Sequence, residues 1–214
     1  MPRIIETTVY ELDELSEAAK EKARSWYREH GLFDEWYEFV FEDFQVICGL
    51  LGIDLDTRPV RLFGGGTRDD PCIFFRGFWS PGDGASFSGT HGYRPGAAQA
   101  IRAHAPEDAA LHAIADRLRD LQRRNFFQLT ASIRQRGREC HEYAMPITVG
   151  RDSPTGQDAT ADAEDLFTEI MRALARWLYR QLELEYESQT SDEAADEAIL
   201  VNEWTFTESG GRFG

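Results

Sequence analysis

The clearest hydrophobic pattern in the chain is the alternation of Phe127, Leu129, Ala131 and Ile133 with Gln128, Thr130, Ser132 and Arg134. A period of two sends successive side chains to opposite faces, so this stretch predicts a strand with one packed side. A turn at Gly137 leads into a return strand through Tyr143, Met145, Ile147 and Val149. Pro146 has no N–H for a ladder, which confines that return to an edge or a bulge. Upstream, runs at Cys72–Trp79 and Ala85–Tyr93 flank Ser80-Pro81-Gly82-Asp83-Gly84, whose Pro-Gly and Asp-Gly steps predict a hairpin. In its second arm Ala85, Phe87, Gly89, His91 and Tyr93 share one face, expected to be packed. Ser86, Ser88 and Thr90 share the other, expected to be wet. Further strands are predicted over 3–12, over 59–63, and through Leu200, Trp204 and Phe206.

Helical spacing accounts for much of the rest. Ser16 is a good N-cap for a helix to about Glu29, with Gly31 as its stop and Ala19, Ala23, Trp26 and Tyr27 as its stripe. A second helix is predicted from near Asp34, carrying Trp36, Phe39, Val40, Phe44, Ile47, Leu50 and Leu51. Ala97–Ala103 and Pro106–Arg124 follow, then a long helix over Ala161–Tyr186, and a short one to Ala198 with a capping box at Thr190 and Glu193. Clustered hairpins with separate helix pairs predict an α+β fold. We expect a mainly antiparallel sheet of about six to seven strands covered by N- and C-terminal helix pairs. A single domain is expected over 1–214, with acidic helical ends at 1–56 and 152–198 and a basic, strand-rich middle at 57–151.

Charge sharpens this picture. Residues 1–56 carry 14 acids and 5 bases, residues 57–151 carry 9 and 14, and residues 152–214 carry 15 and 4, for a chain total of −15. Such blocks bear on partners and not on a reaction. Arginine outnumbers lysine 21 to 2, which favours planar, bidentate pairing with carboxylates. No run of 18 apolar residues and no basic-then-apolar leader occurs, so a soluble protein of the host cytoplasm is expected.

Motifs that dictate chemistry are missing. Gly64-Gly65-Gly66-Thr67-Arg68 lacks the Gly-Lys-Ser/Thr of a phosphate loop and reads as a turn. Cys48, Cys72 and Cys140 lack the spacing of a disulfide framework or a metal site, and Cys48 reads as a buried small hydrophobe. Asp83, His141 and Glu142 are the candidates for an enzyme site assembled from loops, although no nucleophile is placed beside them. Glu139-Cys140-His141-Glu142 would alternate faces on a strand and so would not gather one ion. No cofactor, metal or catalytic residue is expected. Arg117, Arg119, Arg123, Arg124, Arg134, Arg136 and Arg138 offer a nucleic-acid alternative, set against pairing with the protein's own acids. The acidic faces Glu35, Glu38, Glu42 and Asp43, and Asp192, Glu193, Asp196 and Glu197, are the candidate contacts for a protein partner.

Several strings, among them Ile4–Tyr10, Leu15–Trp26, Gly64–Arg68, Phe78–Gly89, Gln122–Leu129, Arg151–Leu166 and Trp177–Leu182, resemble a family of phage and prophage proteins. The family carries the label "antitoxin of toxin–antitoxin stability system". Pro81 stands where the family pattern has Gln. The resemblance implies a phage or mobile-element origin and transfers no site residue. Together these readings predict a non-catalytic accessory protein that binds and inhibits a protein, either a toxin or a host defence complex such as CRISPR or restriction machinery. Its acidic surfaces would imitate nucleic acid. An enzyme and a direct nucleic-acid binder are the alternatives.

Overall fold

The turn chemistry at Ser16 opens the first helix as its sequence predicts. In the computed structural model, which describes residues 6–32 and 35–214, the Ser16 hydroxyl accepts the Ala19 N–H ahead of α1 (Glu17–His30). Gly31 closes that helix by donating to the Tyr27 carbonyl at 2.7 Å. The predicted start of the second helix at Asp34 lies outside the described residues; α2 runs Glu38–Leu51 and buries Phe44, Ile47, Cys48 and Leu51. The fold is α+β, with six α-helices and ten short strands among the described residues. Ten exceeds the predicted count because long apolar runs break where the chain changes partner.

That change of partner has a specific backbone geometry. β1 (Ile53–Leu55) continues through Asp56 into β2 (Thr57–Arg61). β3 (Thr67–Pro71) continues through Cys72 into β4 (Ile73–Arg76), and β5 (Gly84–Phe87) through Ser88 into β6 (Gly89–His91). β1 pairs with β6, β2 with β3, and β4 with β5, all antiparallel. At the meeting point Asp56 N–H donates to the Ser88 carbonyl at 2.9 Å. Ser88 N–H donates to the Cys72 carbonyl at 2.9 Å, and Cys72 N–H to the Asp56 carbonyl at 2.7 Å. Three peptide groups thus close a ring, and three ribbons leave it without orphaned backbone at the switch. The Gly-rich segment read as a turn is the loop of one ribbon, since Thr67–Pro71 is a strand.

β6 pairs in turn with β7 (Leu129–Ile133), and β7 with β8 (Ile147–Arg151), giving the sheet order β1-β6-β7-β8. β8 is an edge strand, as Pro146 requires. The return is shorter than predicted, because Glu142–Ala144 forms a 3-10 turn and the strand begins only at Ile147. The predicted wet face of the second hairpin arm is a correction. Ser86 and Ser88 are buried, and only Thr90 is exposed. The reason is a second covering layer: Phe87 N–H meets the Met145 sulfur at 3.3 Å, and the Ser88 hydroxyl accepts Gln135 N–H at 2.8 Å.

α3 (Ala97–His104), α4 (Ala109–Arg124) and α5 (Ala163–Gln189) complete the helices of this part of the chain. α4 starts later than Pro106 because Asp108 is its cap. One Asp108 oxygen accepts Leu111 N–H at 2.8 Å, and the other accepts the Trp177 indole N–H of α5 at 2.7 Å. Phe167, Ile170, Met171, Leu174, Leu178 and Leu182 form the buried stripe of α5.

A single domain was expected; the contacts cluster into two compact units, 1–38 with 184–214, and 39–183. In the first, Leu12, Leu15, Ala19, Ala23 and Tyr27 pack with Ala195 and Ile199 of α6 (Asp192–Val201) and with Phe206. Ser191, not Thr190, caps α6, accepting Ala194 N–H at 3.2 Å. The predicted strand over 3–12 begins in residues outside the description; within it, only Tyr10 bridges to Phe206, and Leu12–Glu14 is a 3-10 turn. The predicted final strand reduces to β9 (Thr205–Phe206), paired with β10 (Arg212–Phe213), while Leu200 belongs to α6.

Gly89 tests the three-ribbon junction. A Cβ placed there falls 2.4 Å from the Asp54 carbonyl oxygen, so β1 and β6 could not keep their spacing. Gly89→Ala is expected to lower the unfolding free energy by about 1–3 kcal/mol. Urea titration checks it, and an unchanged midpoint would remove the close approach as a constraint.

Candidate functional site

Arginine geometry sorts the charged residues into paired and free. In the first unit, Arg24 reaches Asp196 through Nε at 2.7 Å and Nη2 at 2.6 Å, a bidentate pair joining α1 to α6. That guanidinium holds the Asp196 carboxyl below the usual carboxylate range. Arg28 bonds Asp192 and also donates to the Thr190 carbonyl at 2.9 Å. Two of the four acids predicted to face a partner on α6 are therefore internal ties. Glu193 and Glu197 are exposed, with no side-chain partner among the described residues.

The other predicted acidic face divides similarly. Asp43 receives the His104 ring nitrogen at 2.7 Å. Glu38 is exposed on the first turn of α2, and Glu35 and Glu42 are exposed without a side-chain partner among the described residues.

The arginine stretch does not form one free patch. Arg119 pairs with Asp116 at 2.9 Å and Asp120 at 3.1 Å, and Arg123 reaches Asp120 at 4.0 Å. Arg124 pairs with Asp162 at 3.0 Å, and Arg134 with Asp56 at 2.7 Å beside the three-ribbon junction. Arg117, Arg136 and Arg138 are exposed and have no acidic partner among the described residues.

Asp83, His141 and Glu142, the candidate loop-assembled site, each have local bonds. Asp83 accepts the N–H groups of Trp79 at 3.0 Å and Ser80 at 2.7 Å, as a turn-capping aspartate does. His141 Nδ1 accepts Tyr143 N–H at 3.1 Å, which leaves the proton on Nε2 to be donated to Glu139 at 2.9 Å. Glu142 is 3.4 Å from Arg176. Cys140 lies in the same region, and burial pushes its thiol up, away from the thiolate a nucleophile needs. Among the described residues, no group of three or more His, Cys, Asp or Glu is placed to hold a metal ion.

Three features went unread in the sequence. The first is a buried polar pair. Gln122 sits on the inward stripe of α4, its Oε1 accepting Leu129 N–H at 3.1 Å and its Nε2 donating to the Leu129 carbonyl at 2.8 Å. That orientation makes the same amide nitrogen the donor to His91 Nε2 at 3.0 Å, so the His91 proton resides on Nδ1, which has no hydrogen-bond partner. Burial lowers the His91 pKa to about 4, with the Gly52 backbone and the Asp54 carboxylate acting the other way. A Gln at the i+4 position from Leu118 was the available signal. The second is strain: Phe126 and Phe127 have φ of 56° and 60°, left-handed values uncommon for aromatic residues. Fully buried Asn125 holds that turn by bonding Thr160 N–H at 2.9 Å and the Leu121 carbonyl at 3.1 Å. The third is the β2–β3 ribbon, exposed over most of its length, with Phe63 fully exposed in its loop.

These features define a two-unit α+β protein. Residues 36–192 match the family described as "Domain of unknown function (DUF8835)", and the chain belongs to that family. That span takes in the whole of the second unit, while α1 and nearly all of α6 lie outside it. Searches of curated proteins and of solved structures gave no match.

The His91 environment sets a pH dependence. Its folded pKa lies below the value of about 6.5 for an unperturbed imidazole, so the unfolded chain takes up the proton first as pH falls. Stability from this group is complete above pH about 6.5 and declines toward pH about 4, by up to about 3 kcal/mol. His91→Leu is expected to flatten the decline between pH about 6.5 and 5, where most carboxylates stay ionised. Urea unfolding of both proteins at several pH values checks this, and parallel declines would reject it.

Proposed function

We propose that this is a non-catalytic binding protein that docks on a basic surface of a protein partner. The observation that carries the reading is the division of charge. About half of the described arginines, Arg24, Arg119, Arg124 and Arg134 among them, are engaged by the protein's own carboxylates, while Glu35, Glu42, Glu193 and Glu197 remain exposed and unpaired among the described residues. On a chain of net charge −15, such carboxylates attract cationic groups and repel phosphates. The exposed ribbon loop with Leu62 and Phe63 adds an apolar contact of the kind that fixes a complex once charge has steered it.

The resemblance to phage and prophage proteins extends this reading to a partner class, a toxin or a host defence complex, with the host cytoplasm as the place of action. Imitation of nucleic acid by the carboxylates fits the same reading. The described helices include none long and apolar enough to cross a membrane, in keeping with a partner met off the membrane.

Affinity capture from host lysate, eluted with a salt gradient, tests the proposal. The native chain is expected to retain a protein that elutes early in the gradient. A variant with Glu35, Glu42, Glu193 and Glu197 all changed to Gln is expected to bind it about tenfold more weakly. Equal retention by that variant, or a retained species destroyed by nuclease, would overturn the proposal.

A further inference from the structure

Between α3, α4 and the end of β6 lies a cavity of about 300 Å³, at the small end of ligand sites. Its inner surface is apolar: Leu51, Ala98, Ala115 and Leu118 line it, and all are buried. Tyr93 and Phe127 form a second wall, their rings tilted at 34° with centroids 4.6 Å apart. Phe127 reaches that position from the left-handed turn held by Asn125, so the wall rests on a strained backbone. Strain of this kind collects at ligand clamps.

The charged groups in the lining are all cationic, beside the neutral His91, Gln99 and Gln122. His91, nine-tenths and more buried, accepts the Gln122 amide N–H and is kept neutral by its burial. On the solvent side stand Arg94, Arg119 and Arg123. Arg94 donates to the Gly49 carbonyl at 2.6 Å, which leaves its charge uncompensated by any acid among the described residues. Arg102, Arg119 and Arg123 share only Asp116 and Asp120. Cations therefore outnumber carboxylates around this opening, on a chain that is acidic overall. The first turn of α3, from Gly96 to Gln99, lines the same opening and adds a positive helix end.

We infer that this cavity binds a small amphipathic anion, its apolar body against Leu51, Leu118 and Phe127 and its anionic group beside Arg94 and the start of α3. The inference is independent of the partner proposed above, since none of the carboxylates invoked there lines the cavity.

Isothermal titration with octanoate and naphthalene-2-carboxylate, each compared with its neutral alcohol, tests it. At least one anion is expected to bind with a Kd below about 100 μM, and its alcohol about tenfold more weakly. Arg94→Ala, a change at an exposed position, is expected to erase that difference. Ala97→Trp, at the cavity margin, is expected to block anion and alcohol alike, with circular dichroism confirming its fold. Absence of binding by both anions, equal binding of anion and alcohol, or binding unchanged in Arg94→Ala overturns the inference.

Discussion

The ring of three backbone hydrogen bonds joining Asp56, Ser88 and Cys72 is the constraint on which the second unit depends. Each of these residues stands between two strands that belong to different ribbons. Without the ring, three changes of strand partner would leave several peptide groups unpaired in a region where Ser88 is buried. A buried, unpaired peptide group costs roughly 1–3 kcal/mol. The side chains reinforce the ring: Arg134 bonds Asp56 at 2.7 Å and also donates to the Gly89 carbonyl at 3.3 Å, and Gln135 N–H binds the Ser88 hydroxyl. β7 thus tethers the junction through the residues that follow it. The β2–β3 ribbon leaves this anchored point with both faces largely in solvent, which allows it to carry Phe63 outward.

Charge pairing follows a comparable economy. Planar guanidinium groups take carboxylates in pairs, and three of the pairs join separate elements: α1 to α6 through Arg24, α3 to α4 through Arg102, and the junction to the end of β7 through Arg134. Exposed pairs of this kind contribute little individually, so their value lies more in register than in total stability. The consequence for function is subtractive. Arginines paired in this way offer less free charge to a phosphate backbone, and the carboxylates left over are those on which the proposed docking rests.

Much of this was legible in the sequence. The helix after Ser16 was marked by its cap, the long helix from about Ala161 by its spacing, the hairpin at Ser80–Gly84 by its turn residues, and the edge position of β8 by Pro146. What escaped is physically consistent. Periodicity reports burial on a face, but not a change of partner in mid-run, so Cys72–Trp79 and Ala85–Tyr93 read as long strands although Ser88 divides the second. Alternation predicts a wet face only where nothing covers it, and Met145 and Gln135 arrive from 50 or so residues away in sequence. The acidic faces were read from helical spacing alone, which does not reveal that Asp192 and Asp196 point to Arg24 and Arg28.

Gln122 shows how a single side chain converts such a fold into a shaped site. Its amide imitates a strand edge toward Leu129, and the remaining N–H fixes the His91 tautomer. Rotation of the amide would set two donors against each other at Leu129 N–H and two acceptors at its carbonyl, so only one orientation satisfies the strand. α4 is thereby tied to both β6 and β7, the elements that bracket the cavity. Phe127 follows directly, because its N–H returns to the Gln122 carbonyl at 2.7 Å. Gln122 therefore links the imidazole, β7 and the Phe127 backbone to the helix carrying Arg119 and Arg123, while Asn125 holds the turn between them. A ligand entering between them meets groups already in place, and the ordering cost that weakens most small-molecule binding has been met in folding.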